Sequence, residues 1–213
     1  MKLYSYWRSG TSYRTRIALE LKGLAYDIMP VDLRTGAHKE QDFLTLNPQG
    51  LVPSLEVEDG ITLSQSPAII EYLEERFPER PLLPKEPTAR ARVRAMTALI
   101  GCDIHPLNNL RVLKHLRGDL QLDQSQTDIW AQTWITAGFR ALEELLSQDT
   151  ARGDFCHGAQ PGLVECYLLP QIYSARRFHQ DMSQFPLLGA IEEACMALES
   201  FQKAYPDNQP DAD

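Results

Sequence analysis

The 213-residue sequence predicts an α/β domain built on a mixed four-stranded sheet, followed by an all-α domain forming a helical bundle. Three observations carry this. The first 80 residues alternate strand-like and helix-like segments, a proline-rich stretch follows, and the rest has helical spacing with almost no strand signal. Strand and helix in alternation imply crossover connections and some parallel pairing, whereas Asp59-Gly60 inside "VEDGIT" marks a two-residue antiparallel hairpin.

The elements follow in order. "KLYSYW" reads as a strand, "SYRTRIALELKGL" as a helix, "YDIMPVDL" as a second strand, and a short helix precedes "LNPQG". "SLEVED" and "ITLS" supply two more strands, and "SPAIIEYLEERF" a helix in which Ser66 reads as the N-cap with Pro67 at the first helical position. The order is β-α-β-α-β-β-α. "PERPLLPKEPT" carries four prolines, so domains are expected at 1–80 and 88–213 with a linker at 81–87. In the second domain, Trp130, Trp134, Ala137 and Ala141 make one apolar stripe, and Leu188, Ile191, Cys195 and Leu198 another. Pro106 within "GCDIHPLNNLR" predicts a kinked helix with an asparagine cap, and the polar "DNQPDAD" a frayed end.

Composition narrows the function. At 43% hydrophobic residues the chain can bury a core, but no apolar run approaches the roughly 18 residues of a membrane span, and the N-terminus lacks a signal-peptide stretch. A formal charge of −8 argues against nucleic acid or an anionic membrane as partner. Cys102, Cys156, Cys166 and Cys195 form no CxxC pair and the histidines have no metal-binding spacing, so reduced thiols in a cytoplasmic protein without a metal fit best.

"RSGTSYRTRIAL", residues 8–19, packs hydroxyls between a strand and a helix. Ser9, Thr11 or Ser12 can cap that helix, and a helix N-terminus also stabilises a thiolate. Lowering a thiol pKa by about two units needs roughly 2.7 kcal/mol, within reach of one charge-assisted hydrogen bond plus a helix end.

"SYWRSGTSYRTRIALELKG", "LNPQGLVPSLEVEDGITLSQSPAIIEYLEE" and "CYLLPQIYSARRF" together resemble the zeta-class glutathione transferases, which include maleylacetoacetate and maleylpyruvate isomerases, across nearly the whole chain. The resemblance implies a thioredoxin-like, glutathione-binding N-terminal domain, a helical substrate-binding domain and a homodimer. It also implies a glutathione-dependent cis-trans isomerase of a small maleyl diacid, in aromatic amino acid catabolism, with glutathione as cofactor. The alternatives are a transferase or dehalogenase that consumes glutathione, and a non-catalytic binding protein.

On the family pattern Ser9 activates the thiol, Thr11 lies beside the charge that develops at the substrate carbonyl, and Arg8 and Arg176 hold the substrate carboxylates. Arg176 is preferred to Arg177 because neighbouring helical positions point about 100° apart. A cis Val52-Pro53 bond would present the Val52 backbone to the cysteinyl unit, Gln65 and Ser66 would receive the γ-glutamyl carboxylate, and His38, on an exposed loop, would reach the glycyl end with Gln49. Asp103, His105, Asn108 and Asn109 would line the cleft or the dimer interface. The sequence departs from the family in three places. Many relatives read S-S-C-S where this chain has Ser9, Gly10, Thr11 and Ser12, which removes a protein thiol from the turn. Leu110 stands where some relatives carry an arginine, which favours maleylacetoacetate over the shorter maleylpyruvate. Gly162 replaces the usual Ser or Thr cap three residues before Glu165.

Overall fold

The structure, a computed structural model, describes residues 1–212, with Asp59 represented by its backbone. The chain divides into two compact units. One is Met1–Leu82 together with the chain from Met196 onward; the other is Leu83–Cys195. The second domain expected at 88–213 therefore stops short, its last segment packing with the sheet.

In the first unit, β1 (Lys2–Ser5), β2 (Asp27–Pro30), β3 (Ser54–Glu56) and β4 (Thr62–Ser64) form a sheet in the order β2-β1-β3-β4. β1 runs parallel to β2 and antiparallel to β3, as the crossover through α1 (Gly10–Lys22) requires. Pro30 closes β2, an edge strand, where a missing N–H is tolerated. The β3–β4 connection is longer than the expected two-residue turn. Val57 N–H bonds Ile61 C=O at 2.9 Å around a 3₁₀ turn over Glu58–Gly60, with Gly60 at a φ of 74°. Leu3 and Leu55 face each other across β1 and β3, and with Ile17, Ile69 and Leu73 they are fully buried.

α2 (Gln41–Leu46) and α3 (Ser66–Arg76) complete the sheet's helical cover. Beyond α3, the buried Lys22 ammonium pairs with Glu74 at 2.8 Å and donates to the carbonyls of Phe77 and Arg80, while Glu74 accepts the Leu82 amide. Those bonds satisfy two buried charges and pin the first part of the proline-rich stretch. α9 (Glu199–Ala204) packs on α1. The expected frayed end is docked as far as Ala212: Gln209 Nε2 donates to the carbonyls of Lys203 and Tyr205, and Asp211 accepts the Trp7 amide. Asp213 lies outside the described residues.

The second unit is helical: α4 (Pro87–Ala98), α5 (Leu110–Gly118), α6 (Gln124–Ser147), α7 (Leu163–Arg177) and α8 (Pro186–Met196). Glu86 caps α4 by accepting the Thr88 and Ala89 amides, and Asp123 with Gln126 forms a capping box on α6. The expected tryptophan stripe on α6 is not the buried one; Thr127, Ala131, Ile135, Phe139, Leu142 and Leu146 are. Trp130 and Trp134 instead stack edge to face, and Trp130 donates Nε1–H to the Leu107 carbonyl at 2.7 Å. Gly138 lies where a Cβ would strike the Ile104 side chain, so α6 and the segment before α5 approach closely. The single helix expected through Leu198 breaks there, because Leu198 has extended backbone and caps α9.

Candidate active site

Hydrogen bonds hold the turn from β1 into α1 at several points. Ser9 N–H donates to Tyr6 C=O at 3.0 Å, and Ser9 Oγ caps the helix by accepting the Ser12 amide at 3.3 Å. Thr11 Oγ1 donates to the Val52 carbonyl at 2.9 Å and lies 3.0 Å from Ser9 Oγ. Thr11 has one hydroxyl proton and Val52 takes it, so Ser9 is the donor in the Ser9–Thr11 bond. The result is a directed relay, Ser9 to Thr11 to Val52. Within the helix the amides of Gly10 and Thr11 have no i−4 partner, so the N-terminus of α1 presents two free donors and its partial positive charge beside these hydroxyls.

Val52-Pro53 is cis. The Val52 carbonyl, expected to be available to a ligand, is engaged by Thr11. α3 begins differently from the sequence reading: Gln65 is the N-cap, at a φ of 67° and without a capping side chain, and Ser66 is already helical. A left-handed glutamine is uncommon and marks a strained turn. Ser66 Oγ accepts from the buried Arg14 guanidinium at 3.1 Å, which places a cation under the start of α3, and Gln65 Nε2 donates to Gln49 Oε1 at 2.5 Å. His38, expected on an exposed loop, is buried in a 3₁₀ turn over Ala37–Lys39. Arg8 is half-buried with its guanidinium carbon 5.2 Å from the Trp7 ring centroid.

The second unit holds the remaining candidates. The expected kink is a turn of π-helix over Leu99–Ile104 followed by a 3₁₀ turn over His105–Asn108, and Asn109 Oδ1 caps α5 by accepting the Val112 amide at 3.2 Å. Asp103 is exposed, His105 half-buried, and Asn108 is buried with no partner for Nδ2 among the described residues. Leu110 opens α5 and is 45% exposed. Arg176 is paired within the helical unit. Its Nε and Nη2 bond both Glu192 carboxylate oxygens, at 3.2 and 2.5 Å.

Residues 8–76 match the family described as glutathione S-transferase, N-terminal domain. A maleylpyruvate isomerase from Ralstonia is 50% identical, the match covering all of both chains. A holo structure of maleylpyruvate isomerase, described as a bacterial glutathione S-transferase of the zeta class, superposes with a TM-score of 0.98 at 49% identity, covering all of both chains. The chain belongs to the zeta class of glutathione transferases. A maleylacetoacetate isomerase of the same kind from Anaeromyxobacter dehalogenans 2CP-1, with glutathione bound in its active site, is 45% identical with a TM-score of 0.89, covering 100% of this chain and 97% of the other.

Three further residues shape this zeta-class turn. Arg16, fully buried, donates to Trp7 C=O at 2.9 Å, to Ser5 Oγ at 3.2 Å and to Ala204 C=O at 3.0 Å. Arg14 supports Ser66, and Asp211 accepts from Trp7. The two arginines stand in the "YRTRIAL" stretch, where charges inside an otherwise apolar run were the available signal; nothing local marks Asp211. Among the described residues no helix is long and apolar enough to cross a membrane, and no cluster of His, Cys, Asp and Glu could hold a metal ion.

Proposed function

We propose that this zeta-class transferase is a glutathione-dependent cis-trans isomerase that converts a maleyl keto acid, maleylacetoacetate or maleylpyruvate, to its fumaryl isomer. The observation that carries this reading is the Ser9–Thr11–Val52 relay beside the open N-terminus of α1, in a turn without a cysteine. Glutathione fits the donor set of the first unit. A thiolate suits the Ser9 hydroxyl and the Gly10 amide at the N-terminus of α1, and a γ-glutamyl carboxylate suits the start of α3, where Arg14 underlies Ser66.

Bound glutathione would supply a thiolate nucleophile for the activated double bond and would be regenerated rather than consumed. The chain's own residues hold charge. Turning the Ser9 hydroxyl from Thr11 to the thiolate exchanges a neutral hydrogen bond for a charge-assisted one, roughly twice as strong, while Thr11 stays fixed by Val52. The free amide of Thr11 faces the charge that develops at the substrate carbonyl. Arg8 and Arg176 take the substrate carboxylates, Arg176 by sharing its fork with Glu192. His38, Gln49, the Val52 backbone before Pro53, Gln65 and Ser66 orient glutathione, and Asp103, His105, Asn108 and Asn109 line the site from the helical unit of the same or the partner chain. The protein works as a cytoplasmic homodimer in aromatic amino acid catabolism, with the first unit binding glutathione and the helical unit, Leu83–Cys195, binding substrate.

The test uses substoichiometric glutathione with each maleyl substrate, following substrate and free thiol together. Fumaryl product without thiol loss is expected, with the higher kcat/KM for maleylacetoacetate because Leu110 removes a cation. Consumption of thiol would make the protein a conjugating transferase, and no reaction would leave a binding protein.

A further inference from the structure

We infer that Asp211, two residues inside the C-terminal end, is a positioning residue for the catalytic turn; this rests on the isomerase reading above. Trp7 sits at the apex of that turn, directly before Arg8. Its carbonyl is held by Arg16 and its amide donates to Asp211 Oδ2 at 3.0 Å, so both of its backbone groups are fixed by side chains, one a guanidinium and the other a carboxyl group. One of these comes from 9 residues away and the other from 204. Hydrogen bonds to charged groups are the stronger kind, and a backbone group held on both sides has little freedom left.

The segment that carries Asp211 is itself anchored. Arg16 donates to the Ala204 carbonyl, the Tyr205 ring packs edge to face on Tyr13 of α1 at 6.1 Å, and Gln209 ties the last turn to Lys203 and Tyr205. Past it, Ala212 packs on the buried cluster of Tyr6, Trp7, Val31, Phe43 and Val52. The same cluster therefore contains both Trp7, next to Arg8 and Ser9, and Val52, where the hydroxyl relay ends. The other Asp211 oxygen, Oδ1, is buried and has no partner among the described residues. A tail serving only to cover apolar surface needs no carboxylate oxygen buried at that point. Fixing the Trp7 amide fixes the direction of Arg8 and the origin of the relay at Ser9.

The test compares Asp211→Ala and Asp211→Asn in the full-length protein. The readouts are thermal stability, kcat and KM, and the pH midpoint of the bound glutathione thiol, read from its ultraviolet thiolate absorbance. Asp211→Ala is expected to lower kcat about tenfold, the scale of one lost charged hydrogen bond, and to raise the thiol midpoint. Asp211→Asn keeps an acceptor for Trp7 N–H and should recover most of both. If Asp211→Ala lowers the melting temperature alone, or if Asn fails to rescue, the positioning role is wrong. A wild-type protein that ionises bound glutathione without isomerising either substrate would overturn the isomerase reading, and the thiol midpoint of the two variants would still decide the role of Asp211.

Discussion

Thr11 gives its only hydroxyl proton to the Val52 carbonyl and accepts the proton of Ser9, at 2.9 and 3.0 Å. Position 11 is the second residue of α1. A threonine there links helix α1 to the segment before β3, because its hydroxyl both donates and accepts well, whereas a thiol does each weakly. The Thr11 hydroxyl is thus a fixed acceptor that sets the direction of the Ser9 proton.

Ser9→Ala should cut kcat by tenfold or more, since a hydrogen bond to a charged group contributes about 1.5–3 kcal/mol, and should raise the thiol midpoint of bound glutathione. Thr11→Ala should do less to the midpoint, because Ser9 keeps its proton and loses only a neutral acceptor. Titrating thiolate absorbance in both binary complexes checks this. A larger shift in Thr11→Ala would make Thr11 the residue that meets the sulfur.

Arg176 and Arg177 are adjacent and both exposed, and Arg176 forms a two-point ion pair with Glu192. A paired guanidinium has a fixed orientation and can take a second carboxylate on its remaining N–H groups. Arg176→Ala is expected to cost about 2 kcal/mol more in kcat/KM than Arg177→Ala. Glu192→Gln keeps one acceptor and should fall between them. Equal losses from both arginine variants would remove Arg176 from the substrate site.

The order of elements was legible in the sequence because the first domain's periodicities are local: two residues per repeat in the strands, and proline and glycine between them. α1 resisted finer reading. Ser12 through Leu19 are all buried, so the helix has no polar face against which Arg14 and Arg16 could be recognised as interior groups. The α6 stripe was misplaced because two tryptophans outweigh smaller residues in any apolar count, although their ring N–H groups and bulk favour a half-buried position. Ser66 followed by Pro67 predicts a cap at Ser66, whereas the positive φ of Gln65 moves the helix start by one residue. Asp211 was illegible, because its partner is 204 residues away.

The four cysteines should divide sharply in a labelling experiment. Cys102 is exposed, and Cys156, Cys166 and Cys195 are buried. Burial pushes the Cys156 thiol well up, and the nearby Glu165 carboxylate adds to the shift; Cys195 moves the same way for the same reasons. Native protein treated with iodoacetamide near neutral pH is expected to take one equivalent, at Cys102, with the other three reacting after denaturation. Mass spectrometry of the labelled peptides reads the result, and early labelling of Cys156 would show that its part of the helical unit opens readily.

Gly162 begins α7 with half of a capping box. Glu165 Oε2 accepts the Gly162 amide at 2.7 Å and its Oε1 accepts the Cys156 amide at 2.8 Å, but glycine has no side chain to return a bond to the Glu165 amide. The Gly162 φ of −142° is open to any residue, so nothing in that angle requires glycine. Gly162→Ser should therefore add the missing acceptor and stabilise the protein by a few tenths to about 1 kcal/mol. For a chain of this length that corresponds to roughly 1–4 °C in melting temperature, with kcat and KM unchanged. Glu165→Ala is the opposing control. It strands two amides at once, each about 1–3 kcal/mol when left unpaired, and should lower the melting temperature far more than Gly162→Ser raises it. A Gly162→Ser variant that melts below the parent protein would mean that the added side chain has no room at this end of α7, and that the glycine is kept for space.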